Sequence, residues 1–150
     1  MRILKIEEYF QSEETLDKVL EEIKEDITMV DEYADMMKQN MVATPEAVSE
    51  ALKAITGIYS NLRTVLALAE TEKKNREIRR YGEIRIETEN SGKKFTDASA
   101  SKEASEFVAS YRRVRNLIQG YVESCEKMSS ALQSDLRKVI TEMSLTVKGD

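Results

Sequence analysis

The stretch Lys73–Arg85, KKNREIRRYGEIR, contains residue types that could bind a phosphate backbone. Six of its thirteen residues are Lys or Arg, in a chain of 150 residues whose net charge is −5. On a helix, spacings of three and four residues place Lys73, Arg76 and Arg80 on one face as a column of cations. Such a column can follow the phosphates of a nucleic acid while the neighbouring Tyr81 stacks on a base. With two lysines of the following loop and three arginines of the next helix, the expected nucleic-acid contacts are Lys73, Lys74, Arg76, Arg79, Arg80, Tyr81, Lys93, Lys94, Arg112, Arg113 and Arg115.

The distribution of charge along the chain favours an acidic partner for this segment. Residues 1–44 contain five Lys/Arg and twelve Asp/Glu, giving −7, whereas residues 73–115 contain twelve and seven, giving +5. Asymmetry of this kind is typical of chains that bind nucleic acids or other acidic molecules. An alternative stays open, because Glu77, Glu83 and Glu87 could pair with the arginines along an exposed helix.

Other kinds of chemistry have little support in the sequence. The chain has no histidine, which removes the commonest general base and the usual metal ligand. Its single cysteine, Cys125, lies in an apolar helical pattern and is expected to be a buried spacer rather than a nucleophile. The carboxylates of the first helix lack the Glu-x-x-His spacing of di-metal sites, and no Gly-rich phosphate loop occurs. The sequence therefore predicts a protein that is not an enzyme and needs no cofactor or metal.

Apolar residues spaced alternately by four and three predict three long helices that must position these side chains. Ser12 is the expected N-cap of the first helix, about 12–41. The second, about 45–86, begins with Pro45 at the first helical position, after a threonine cap. The third is predicted over about 98–144. Its apolar seam, expected to pack on another helix or another copy, is Phe107, Tyr111, Val114, Ile118, Tyr121, Cys125, Met128 and Leu132.

Residues 82–97 interrupt the helical pattern. The run EIRIET at 83–88 alternates polar and apolar residues as a short strand would, and residues 90–92, Asn-Ser-Gly, have the composition of a turn. One prediction is a small β-hairpin. The other is that the second helix frays into a loop.

Three helices with narrow apolar stripes predict an all-α fold. The expected architecture is an elongated helical hairpin or coiled-coil bundle over residues 1–150 as one unit, assembled as a homo-oligomer. Met36, Met37 and Met41 are expected to fill the end of the packed first helix. No apolar run approaches the roughly 18 residues of a membrane span, and a single cysteine suits a reducing compartment. We therefore expect a cytoplasmic protein without a membrane partner.

The order of these features resembles the UvsY family of recombination mediators of T-even phages and similar small helical proteins of phage recombination modules. The likeness covers about residues 45–145. The family's DNA-binding segment has the form Leu-Lys-Ala-Arg-Leu-Asp-Tyr, and residues 75–81 match it with Arg76 at the lysine place and Tyr81 at the tyrosine place. Ile78 holds the family's arginine place, with Arg79 one step later.

The resemblance implies a ring-like homo-oligomer that binds single-stranded DNA. Such a ring would help to load a recombinase onto strands covered by a single-strand-binding protein, in the cytoplasm of a bacterial host. The expected function is therefore a non-enzymatic recombination mediator. The alternative is a coiled-coil adaptor, scaffold or DNA-mimicking inhibitor that acts by protein–protein contact through acidic residues such as Glu21, Glu25 and Glu32.

Overall fold

The all-α prediction is confirmed. A computed structural model describes residues 3–149, with side chains through Val147, and this part of the chain contains α-helices and one 3₁₀ turn but no strand. We number the helices α1 (Ile3–Tyr9), α2 (Leu16–Glu22), α3 (Lys24–Lys38), α4 (Pro45–Asn90), α5 (Asp97–Phe107) and α6 (Ala109–Gly149), with the 3₁₀ turn at Glu13–Thr15.

The predicted first helix is divided into shorter pieces. The Ser12 hydroxyl accepts a hydrogen bond from the Glu14 N–H at 3.3 Å, as expected of a cap, but it caps the 3₁₀ turn. The chain leaves the helical conformation again at the buried Ile23, between α2 and α3. Asn40, with φ of 55°, ends α3 in a left-handed conformation that asparagine tolerates. The Met41 N–H then bonds to the Met36 carbonyl at 2.9 Å, so the helix stops before residue 41.

Helix α4 begins as predicted and continues further than predicted. Thr44 caps it, because its hydroxyl accepts a hydrogen bond from the Ala47 N–H at 3.1 Å, and Pro45 occupies the first helical position. The β-hairpin prediction for 82–97 was wrong, since the helix runs to Asn90 and only residues 91–96 form a loop. Gly92, with φ of 71°, ends the helix instead of turning a hairpin.

The predicted third helix is interrupted at Val108. This residue is fully buried and has φ of −99° and ψ of 18°, which separates α5 from α6. Phe107, the residue just before this break, has 56% of its surface exposed, so its predicted place in the seam was wrong. From Tyr111 onward the seam is buried or half-buried within the chain.

The helices group into two compact units. The first comprises the chain up to Glu22 and Thr64–Gln119, and the second comprises Ile23–Arg63 and the chain from Gly120. The core of the first unit includes Ile6, Phe10, Val19, Val65, Leu66, Val108, Tyr111 and Ile118. The core of the second includes Ile23, Val30, Val48, Ile55, Leu62, Val122, Cys125 and Leu132. Helices α4 and α6 contribute to both units, and the single unit over 1–150 stays a prediction.

Candidate nucleic-acid interface

Arg76, the centre of the predicted cation column, is used inside the first unit. Its Nε lies 3.0 Å from the Glu72 carboxylate, and its guanidinium donates to the backbone carbonyls of Phe10, at 3.3 Å, and of Gln11. The guanidinium carbon also lies 4.6 Å from the centroid of the Tyr111 ring. These carbonyls follow α1, where a helix leaves acceptors without partners. Arg76 therefore ties the end of α1 to α4 and is only 20% exposed.

Arg80 is surrounded by carboxylates. Its guanidinium nitrogens lie 3.2 Å from Glu83, 3.2 Å from Glu87 and 3.1 Å from Glu103 on α5. Hydrogen bonding to Glu83 raises the pKa of Arg80 above its ordinary value. The guanidinium carbon also lies 5.5 Å from the Phe107 ring centroid. A phosphate approaching Arg80 would have to compete with three anions that are already in place.

Tyr81 packs within the first unit, where its side chain is half-buried. Its hydroxyl donates to the Asp97 carboxylate at 2.5 Å, and this hydrogen bond raises the pKa of Tyr81. Its ring and the Phe95 ring form an edge-to-face pair, with centroids 5.8 Å apart and planes at 86°. Both rings pack against a small buried cluster formed by Ile84, Ala100 and Ala104. The predicted base-stacking residue is thus part of the junction between α4 and α5.

Three more of the predicted cations have partners in the first unit. Lys73 lies 3.4 Å from Glu77, one turn along α4. Arg112 donates to the carbonyl and hydroxyl of Ser105, at 2.8 and 2.5 Å. Arg115 lies 3.1 Å from Glu70. The alternative of self-paired charges thus describes much of this surface.

Five predicted cations are exposed and have no charged or hydrogen-bonding partner in the part of the chain that the structure describes. They are Lys74, Arg79, Lys93, Lys94 and Arg113. Sequence reasoning omitted Arg85, which is 61% exposed, 3.4 Å from Glu89 and 5.6 Å from the Phe95 ring centroid. It also omitted Ile78 and Ile86, each 61% exposed on α4 between these cations. Their spacing of eight residues is also compatible with a buried helix face, so the sequence carries no signal that would have identified them as exposed.

Cys125 lies in the core of the second unit, as predicted. Its thiol is fully buried, and burial raises its pKa from an ordinary 9.0 to about 11. Because the thiolate is the reactive form, this environment opposes nucleophilic chemistry.

Neither a metal site nor a membrane span is evident in the described residues. No group of three or more Cys, Asp or Glu side chains there is placed to hold a metal ion. No helix in that part of the chain combines the length and apolar character needed to cross a bilayer.

Comparison with known proteins finds no match among protein-family models, curated sequences or solved structures, so the resemblance to phage recombination mediators stays a prediction.

Proposed function

We propose that this chain is a non-enzymatic helical scaffold that acts by protein–protein contact. The observation that carries the proposal is the solvent-facing surface of α4, where Ile78 and Ile86 are each 61% exposed. Exposed apolar side chains grouped on one surface are typical of docking sites for other proteins. The neighbouring Arg76 and Arg80 already have carboxylate partners, which leaves the apolar residues as the more available part of this surface.

A recombination mediator that binds single-stranded DNA is the second candidate. The observation that favours it is the set of five exposed, partner-free cations named above. Four of them, Lys74, Arg79, Lys93 and Lys94, come from α4 and the loop that follows it. In this candidate they would contact phosphates, and Arg76, Arg80 and Tyr81 would hold the fold instead of the DNA.

Fluorescence anisotropy with a labelled single-stranded oligonucleotide distinguishes the two candidates. The scaffold proposal expects no detectable binding by micromolar wild-type protein at about 50 mM salt, where phosphate contacts are strongest. If binding occurs, replacing the four cations by Ala should weaken it. Each phosphate contact with single-stranded DNA contributes about −0.7 to the slope of log binding constant against log salt concentration, so loss of four contacts should flatten that slope by about 3. A control is Lys53→Ala/Lys127→Ala, because both lysines are exposed and belong to the second unit, not to the first unit that holds the four cations.

The scaffold proposal also has a positive test. Tagged wild-type protein and its Ile78→Asp/Ile86→Asp variant, produced at equal levels, are compared by quantitative mass spectrometry of the proteins that co-purify. We expect bound proteins to be lost from this variant and retained by Leu4→Asp, which alters an exposed apolar side chain elsewhere in the first unit. Tight oligonucleotide binding together with unchanged protein partners would contradict the proposal.

A further inference from the structure

One half of the inferred contact is an apolar ridge on α4. Ile78, Gly82 and Ile86 are spaced by four residues and therefore lie on one side of the helix. A Cβ built on Gly82 would meet no atom within 4 Å beyond the local backbone of α4, so the helix surface is open between the two exposed isoleucines. Arg79 and Lys74, exposed and without partners in the described chain, lie at the sides of this ridge. We call Ile78, Gly82 and Ile86 the isoleucine ridge.

The other half is a groove in the second unit, between α3 and the start of α4. It has a volume of about 220 Å³ and small residues, Ala47 and Ala51, in its lining. Met29 and Met36 also line it, and each remains more than a third exposed. The expectation that Met36 fills the end of a packed helix was therefore wrong in part. We call this cavity the methionine groove. Two exposed carboxylates, Glu32 and Glu50, complete the lining.

We propose that the isoleucine ridge of one copy docks into the methionine groove of a second copy. The proposal rests on the scaffold function and names its partner as the same chain. Flexible methionine side chains can accommodate a branched apolar side chain, and the notch at Gly82 lets a groove wall approach the α4 backbone. The charges agree as well, since Arg79 and Lys74 accompany the ridge and Glu32 accompanies the groove.

The same complementarity appears along the whole sequence. The segment that contains α3 has a charge of −7 over residues 1–44, from five basic and twelve acidic residues. The segment that contains the ridge has a charge of +5 over residues 73–115, from twelve basic and seven acidic residues. Opposite charge on two surfaces speeds and orients their encounter. Nucleic acid or an acidic helix of another protein could occupy the ridge on charge alone, but neither would explain the acidic methionine groove.

A contact between two different surfaces has a defined consequence for assembly. Each copy offers one ridge and one groove, so the contact can be repeated from copy to copy. The result is a closed ring if the last copy meets the first, and otherwise an open filament. A variant that lacks one surface can still use the other. This property separates the proposed contact from a symmetric dimer, in which the same patch is used twice.

Complementation between two defective variants tests the proposal. Ile78→Asp/Ile86→Asp removes the ridge, and Met29→Asp/Met36→Asp removes the groove, so that the two altered surfaces repel each other. All four side chains are at least a third exposed, so folding should be retained and is checked by circular dichroism. By sedimentation velocity we expect wild-type protein to form oligomers that shrink as salt rises, and each variant alone to be monomeric. An equimolar mixture should form a 1:1 dimer and nothing larger. Leu4→Asp should assemble like the wild type.

Two outcomes would overturn the proposal. A wild-type monomer at concentrations up to tens of micromolar would exclude a contact between copies, and a mixture that stays monomeric would exclude a ridge–groove pairing. In either case the scaffold function would still stand if Ile78→Asp/Ile86→Asp loses other co-purifying proteins. Conversely, if the mixture forms ridge–groove dimers and the wild type binds the oligonucleotide tightly, the contact between copies would stand and the scaffold function would be contradicted.

Discussion

At the scale of single residues, the same type of side chain has different roles according to what lies within a few ångströms of it. Arg76 and Arg79 are three positions apart, but the first holds the carbonyls that follow α1 and the second is exposed. The sequence correctly predicted that Lys73, Arg76 and Arg80 lie on one helix, where their spacing places them on one face. It could not predict that this face is turned toward the carbonyls of Phe10 and Gln11, because their position depends on how α1 packs.

Burial of the single thiol gives the protein a measurable pH dependence. The pKa of Cys125 is raised to about 11, so the folded protein keeps a proton that the unfolded chain, with an ordinary pKa of 9.0, has already lost at intermediate pH. The stability that this thiol contributes is therefore complete below pH 9 and is lost as pH rises through about 11. The loss is on the order of 2–3 kcal/mol.

Comparison with Cys125→Ala measures this contribution. Urea unfolding at several pH values across this range should show the difference in unfolding free energy between wild type and variant shrinking as pH rises. Other titrating groups are common to both proteins and cancel in the difference. Parallel pH profiles would contradict the raised pKa.

At the scale of helices, the ends that carry a local chemical signal were predictable, and the breaks caused by packing were not. Thr44 and Pro45 mark the start of α4 in sequence and in structure. The alternating run at 83–88 suggested a strand, but Ile84 is buried whereas Ile86 is exposed, although both would lie on the same face of a strand. No glycine or proline lies near Val108 in the sequence, so nothing there predicts the break between α5 and α6. It is accompanied by burial of Val108 in place of Phe107.

The end of α4 depends on a residue that accepts a positive φ. Gly92→Ala should destabilise the protein by about 1 kcal/mol, because φ of 71° brings a Cβ close to the following carbonyl. Gly120→Ala is the matched control with the opposite sign. Gly120 lies inside α6, and the added Cβ would meet no atom within 4 Å beyond the local helix backbone. Gly120→Ala should therefore stabilise the protein by about 0.5–1 kcal/mol. Thermal unfolding of both variants checks the pair, and equal shifts in one direction would count against this account of the α4 terminus.

At the scale of the whole molecule, the seam of α6 is covered within the chain. Sequence reasoning assigned the seam to contact with another helix or another copy, and its buried members fill the cores of the two units. The apolar side chains that remain exposed, such as Ile78 and Ile86, therefore lie outside this seam. No periodicity rule could identify these in advance, because exposure of a residue such as Ile78 depends on which side of α4 the other helices cover.

A charge introduced into the seam should unfold the protein and not merely separate copies. Ile118→Asp places an unpaired carboxylate in the core of the first unit, with an expected loss of roughly 3–5 kcal/mol in unfolding free energy. Leu117→Asp changes the adjacent exposed side chain and should have little effect. Chemical denaturation followed by circular dichroism provides the measurement. Retained helicity and stability in Ile118→Asp, with only a smaller sedimentation coefficient, would show that the seam serves assembly instead.

Because Cys125 is buried, its reaction with a thiol reagent can be used to measure how often the core of the second unit opens. A thiol reagent can reach Cys125 only when the surrounding helices separate, so the labelling rate in excess reagent reports how often that part of the core opens. The chain contains no second thiol to confuse the signal. Every event that holds these helices together, including occupation of the methionine groove in the same unit, should slow the labelling of the thiol.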